Sequence, residues 1–210
     1  MNQGRLLILD LDDTIFETRS IGTNHLKSIF SQFRKVGIDH YSSKALEEIE
    51  NDLWHLPFDQ VVSKHQFPIE LSKLLPKLIN ETNFKFNIQP FSDFKHLQSF
   101  PYPKVLVTTG FKHLQEAKIS ALGIASAFEA IYIDEIDAPN RLFKSGIFKQ
   151  IIESSELMPE QHVVIGDNPE SELKAGKALG LTTIQMARSN QPNSPYSLYR
   201  ITNFAELELT

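Results

Sequence analysis

Two apolar patterns alternate along this chain. Short runs rich in Val and Ile stand at 5–9, 104–108, 130–133 and 162–165, with a fifth at 182–186. Such short apolar runs predict strands, and the first, Leu6-Leu7-Ile8-Leu9, reads as a buried parallel strand. Between the later runs the period lengthens to that of a helix. Residues 114–122 carry apolar positions at helical spacing and stop at Gly123. Ile147, Phe148, Ile151 and Ile152 form a second apolar face, and 173–179 a third that ends at Gly180. Glycine after the last periodic residue is a helix stop. Strands alternating with helices predict an α/β fold: a parallel sheet flanked by helices and joined by right-handed crossovers.

The interval 16–91 breaks this rhythm. Leu26, Ile29, Phe30 and Phe33 recur at helical spacing, as do Leu46, Ile49 and Leu53, and then Leu71, Leu74, Leu75 and Leu78. Pro57, Pro68 and Pro76 punctuate the stretch. So many helices exceed one crossover connection. The expectation is a Rossmann-like core over 1–15 and 92–210, with an α-helical domain inserted over 16–91. The other arrangement is a long crossover layered on the sheet.

Composition narrows the class of function. The net charge of -5 lacks the basic surplus of a nucleic-acid footprint. With no cysteine in the chain, any metal must rest on oxygen or histidine ligands. No apolar run is long enough for a bilayer, and residues 1–5 do not resemble a signal peptide, so a cytoplasmic protein with no membrane partner is expected. Gly176-Lys177 is not a phosphate-binding P-loop, because Ser171 stands where its first glycine belongs.

The chemistry gathers at strand ends. Asp10, Leu11, Asp12, Asp13 and Thr14 follow the first run directly. Two carboxylates two residues apart at the end of a buried strand repel each other, and burial penalises both. Such a pair calls for a cation or a reaction to offset it. The second run ends in Thr108, Thr109 and Gly110, where hydroxyl and backbone N–H groups suit an anion. The fourth ends in Gly166 and Asp167, followed by Glu172. In open parallel sheets, ligands sit beyond these carboxyl ends.

In combination these residues resemble the haloacid dehalogenase (HAD) superfamily, mostly phosphohydrolases. Asp10 to Thr14 resembles its first motif, Thr108 with Thr109-Gly110 the second, Lys144 the third, and Gly166-Asp167 with Glu172 the fourth. The stretch from Gly110 to Gly123, with Gln115, Lys118 and Ile119, resembles the helix after motif two in capped members. The helical interval resembles the family's first type of cap. The resemblance spans the whole chain and implies a HAD core with an inserted helical cap. It also implies a Mg²⁺-dependent hydrolase of small-molecule phosphate monoesters.

The roles it implies are specific. Asp10 is the nucleophile that forms an aspartyl-phosphate. Asp12 is the acid and base. Thr108, Thr109 and Lys144 bind phosphate. Mg²⁺ is held by Asp10, the Asp12 carbonyl and Asp167. Asp13 and Thr14 are turn-forming or supporting residues. An acid at position 12 suits an alkoxide leaving group rather than a halide. Two departures stand out. Lys144 precedes Ser145 rather than proline and lies only four residues ahead of Phe148, which leaves Arg141 as a rival. Glu172 replaces the usual second aspartate, and either reaches the metal through water, orients Lys144, or is simply a helix-start acid. A phosphomutase or phosphotransferase acting on a sugar phosphate, and a non-catalytic phosphate-binding module, remain alternatives. Trp54, His55, Phe58 and Lys64 are the candidate specificity residues of the helical interval, each with core packing or solvation as the plainer reading. The expected partner is a small phosphorylated metabolite, with oligomeric state open.

Overall fold

The computed structural model describes residues 4–54, 56–188 and 191–207. Six strands form one parallel sheet: β1 (Leu6–Leu9), β2 (Lys104–Gly110), β3 (Ala130–Glu135), β4 (His162–Gly166), β5 (Thr182–Met186) and β6 (Tyr199–Ile201). Their order is β3-β2-β1-β4-β5-β6. The continuous run Leu6-Leu7-Ile8-Leu9 is buried at every position because β1 is central, paired with β2 through Leu7–Lys104 and with β4 through Leu6–His162.

The strand period of two splits the core. Leu7 and Leu9 face one layer with Leu106, Ile165 and Ile184, packed under Phe94, Leu97, Ile119 and Leu122. Leu6 and Ile8 face the other with Val105, Val107 and Val164, packed under Ile147, Phe148 and Ile151. The first layer is covered by α5 (Phe94–Ser99) and α6 (Lys112–Leu122), the second by α7 (Phe143–Glu153) and α8 (Lys174–Ala178). Four further helices occupy the long interval: α1 (Asn24–Gly37), α2 (Ser43–Asp52), α3 (Phe58–His65) and α4 (Ile69–Glu81). Their apolar faces meet in a separate cluster around Phe33, Leu46, Ile49, Val61 and Leu71, joined by Phe111 and Ile136 from the turns after β2 and β3. The chain leaves and rejoins the sheet at one place, where the Phe91 N–H donates to the Ile15 carbonyl at 2.8 Å.

Several elements depart from the sequence reading. Strands β2, β3 and β4 run past 108, 133 and 165 to Gly110, Glu135 and Gly166. Short β6 and the six-residue α5 carry too few residues for a period to register. Pro57 and Pro68 precede α3 and α4 as expected, but Pro76 lies inside α4. The helix expected over 173–179 begins earlier, as a π-turn over Pro169–Leu173 that leads into α8. Among the described residues, no helix is long and apolar enough to cross a membrane.

Candidate active site

The strand order reverses direction between β1 and β4, and there the acidic residues meet. Asp10 continues β1, its N–H bonded to the Ile165 carbonyl of β4 at 3.0 Å. The chain then turns tightly, with the Ile15 N–H on the Leu11 carbonyl at 2.9 Å. Asp13 takes the left-handed conformation (φ +52°), which aspartate tolerates, and its carboxylate accepts from the Thr18 N–H at 2.9 Å. That turn points both Asp10 and Asp12 into one cavity of about 410 Å³.

Asp10, Asp167 and Glu172 each place a carboxylate oxygen within 4.8 Å of the others. Lys144 reaches into this cluster, with Nζ 2.6 Å from Asp10 Oδ1 and 2.7 Å from Glu172 Oε2. Phe143, just before it, is itself left-handed (φ +56°), a strained choice for a bulky side chain that costs roughly 1–3 kcal/mol. Arg141 stacks on its ring at 4.4 Å. The turn aims Lys144 at Asp10. Arg141 instead forks onto Asp134 at 2.8 and 2.7 Å and onto Asp59 at 2.6 Å, away from the cluster. Glu172 is held at both oxygens, since Oε1 accepts from the Asn168 N–H at 2.7 Å. It lies against Gly166, where a Cβ would press into its side chain, so any larger residue must displace Glu172.

One ammonium cannot balance three carboxylates. Burial raises Asp10 to about 7, against the pull of Lys144, with Glu172 and Asp12 adding to the rise. Burial likewise raises Asp167 to about 8, with Asp10, Glu172 and Asp13 adding and Lys144 opposing. Burial alone would lower Lys144, but Asp10 and Glu172 together hold it above its ordinary value. The contact thus favours the ammonium more than it favours Asp10, because Asp10 shares its cation and faces other acids. This excess of oxygen donors and negative charge fits a hard divalent cation such as Mg²⁺.

Asp12 lies in different surroundings. Burial would raise it, but Lys118 outweighs that, with help from Gln115 and Thr18, and leaves it below the usual carboxylate value. Lys118 Nζ lies 2.7 Å from Oδ1, Gln115 Nε2 2.9 Å from Oδ2, and Thr18 donates to Oδ1 at 3.1 Å. Gln115 also donates to Thr108 Oγ1 at 2.6 Å, which ties the end of β2 to Asp12. Thr108 and Thr109 both line the cavity, though the Thr109 hydroxyl donates to Asp134 at 2.9 Å. Thr14 is buried beside the turn and its carbonyl accepts from Arg188 at 2.9 Å.

Sequence reasoning did not assign Gln115, Lys118 and Thr18 to the site. The signal lay in α6, whose buried stripe is Gln115, Lys118, Ile119 and Leu122. Polar residues on an apolar stripe need partners. Trp54 and Phe58 line the cavity, whereas Lys64 is exposed and pairs with Asp52 at 2.8 Å. His55 lies outside the described residues.

The pattern of the haloacid dehalogenase-like hydrolases matches residues 7–186. The chain belongs to this family. As a haloacid dehalogenase-like hydrolase it is 23% identical over 233 residues to YfnB of Bacillus subtilis, named as a HAD-hydrolase, covering 99% of this chain and 95% of that protein. It is 22% identical to a glyceraldehyde 3-phosphate phosphatase of Pyrococcus furiosus over 223 residues, 99% of this chain and 92% of the relative. In fold it is similar to magnesium-bound YfnB (TM-score 0.61, 19% identity, 98% and 97% coverage). It is also similar to CbbY of Rhodobacter sphaeroides in complex with xylulose-(1,5)bisphosphate (TM-score 0.66, 15% identity, 98% and 96% coverage).

Proposed function

We propose that this hydrolase is a Mg²⁺-dependent phosphatase of small phosphate monoesters. The observation that carries the reading is the convergence of Asp10, Asp167 and Glu172 around Lys144, beside a separately held Asp12. Asp10 and Asp167, with the Asp12 carbonyl, would hold Mg²⁺. Bound there, the ion supplies positive charge that lets an anionic phosphate approach the carboxylates. Asp10 attacks phosphorus, its oxygen forming the new bond while the ester oxygen departs, to give an aspartyl-phosphate. Lys144 steadies the charge on the transferring group, and Glu172, with both oxygens engaged, keeps Lys144 in place. Thr108, whose Oγ1 accepts from Gln115, would donate a hydrogen bond to a phosphate oxygen.

Asp12 supplies a proton to the departing oxygen and later takes one from the attacking water. Its three donors favour the ionised form, which suits the second step. The proton for the first step is favoured when the negative phosphate draws near. We further infer that the helices of 16–91 act as a cap over a core of 1–15 and 92–210, supported by their own apolar cluster and by the Phe91–Ile15 junction. The names of the archaeal relative and of the bisphosphate complex support a small phosphorylated molecule as substrate.

The test is phosphate release from a panel of monoesters with Mg²⁺ and with EDTA, beside Asp10→Asn. Metal-dependent release lost in the variant is the expected result. An isomer produced without phosphate release would identify a mutase, and metal-independent release that survives in Asp10→Asn would overturn the reading.

A further inference from the structure

The cavity is lined by two chemically different sets of residues, a polar one around the sheet ends and their loops and an apolar one from the helices of 24–81 with Leu114. The polar set includes the carboxylates, Lys144 and Lys118. The apolar set forms a wall that includes Leu26 and Phe30 of α1, Leu53, Trp54 and Leu56 after α2, and Leu114 of α6. All six are half-buried, so helix packing leaves part of their apolar surface uncovered. Phe30 and Trp54 meet edge to face, with centroids 6.4 Å apart at 60°. Among the described residues of 24–81 that line the cavity, none carries a charge, a hydroxyl or an amide side chain, and the indole N–H of Trp54 is the sole polar side-chain group.

A substrate bound by its phosphate at Asp10 and Lys144 would meet this wall with its alcohol portion, since the helices of 24–81 line the same cavity. A second phosphate or a carboxylate there would lose water and gain no charged partner among the described residues of 24–81. Neither lysine of the cavity is spare, because Lys144 is bound to Asp10 and Glu172 and Lys118 to Asp12. Hydroxyl groups of a sugar would also find little to bond. A hydrocarbon portion gains from every CH₂ it buries.

We propose that the released alcohol is apolar: the site takes monophosphate esters of alkyl or aryl alcohols that carry no second anionic group. This rests on the phosphatase reading above. It sets the chain apart from a glyceraldehyde 3-phosphate or bisphosphate specificity.

The experiment is kcat/KM, with Mg²⁺, for methyl, propyl, butyl, hexyl and cyclohexyl phosphates against glycerol 3-phosphate, phosphoglycolate and a sugar bisphosphate. Simple primary alkyl alcohols leave with similar ease, so that series isolates the contact with the wall. We expect kcat/KM to rise roughly fourfold per methylene until the wall is covered. Glycerol 3-phosphate or phosphoglycolate turned over as well as butyl phosphate would overturn the proposal. Trp54 is the only tryptophan in the chain, so its fluorescence reports binding directly. Hexylphosphonate should bind the Mg²⁺-loaded protein about tenfold or more tightly than 2-carboxyethylphosphonate. Equal or reversed affinity would overturn the proposal. Hydrolysis of no ester would sink the phosphatase reading, and the phosphonate titration would still decide the preference of the wall.

Discussion

Asp10→Asn should make the metal-free protein more stable while abolishing turnover. Asp10 is 7% exposed and its folded-state pKa is about 7, against an ordinary 3.8. The folded protein therefore binds this proton more tightly than the unfolded chain does. The sign follows: wild-type stability is fully present below pH 4 and declines as pH rises to about 7. The raised pKa lowers stability, relative to a neutral residue at this position, by at most about 4 kcal/mol at pH 8 and about 2 kcal/mol at pH 5, from 1.36 kcal/mol per pKa unit. Asparagine resembles the protonated acid and escapes that cost. Lys144 retains its 2.7 Å contact with Glu172, so its ammonium is not stranded. Local relaxation lowers both values but preserves their order. The assay is urea unfolding in EDTA at pH 5 and pH 8, followed by Trp54 fluorescence and circular dichroism. An advantage for the variant that grows with pH is the expected result. A variant equal to or weaker than wild type at pH 8 would refute the view that Asp10 is a strained anion awaiting a cation.

Mg²⁺ should raise Tm more at pH 8 than at pH 6, because Asp10 and Asp167, raised to about 7 and 8, must lose protons to bind it; a larger shift at pH 6 would contradict this. Gly166→Ala should cost roughly 1–3 kcal/mol in chemical denaturation and most of the turnover, since the new methyl displaces Glu172 from Lys144; wild-type stability and rate together would show that Glu172 has room to move. Asp12→Asn should slow hydrolysis about 10²–10⁴-fold, and more for alkyl phosphates than for p-nitrophenyl phosphate; an equal loss on both would argue against a leaving-group acid.

The central strands were legible because β1, β2 and β4 are buried along most of their length, whereas the edge strand β3 is only half-buried. β1 reads as a continuous apolar run and β2, β3 and β4 carry apolar stretches, while β5, Thr182-Thr183-Ile184-Gln185-Met186, shows itself mainly by β-branched residues. What sequence could not show were short elements at the margin. β6 has three residues, two of them exposed, and α5 has six, too few to establish a period. The ends of β2, β3 and β4 were read short for another reason. Thr109-Gly110, Asp134-Glu135 and Gly166 are polar or small, yet they stay in the ladder because the site is built on them.

Motif residues announce themselves by being out of place, as two acids at the end of a buried strand do. Their supporting partners do so less loudly. Lys118 looks like any surface lysine until its register with Ile119 and Leu122 places it on the buried stripe of α6. The apolar wall is harder still. Leu26, Phe30 and Leu53 have the periodicity of helix packing, and most of their neighbours do pack. Only the folded arrangement distinguishes apolar surface that helices cover from apolar surface left lining the cavity that also holds Asp10 and Lys144. The residues of the proposed reaction are therefore legible in local sequence, where two or three suffice. The proposed selectivity depends on which part of a helix face stays uncovered, a property of how four helices dock, and so it appears only when the chain is folded.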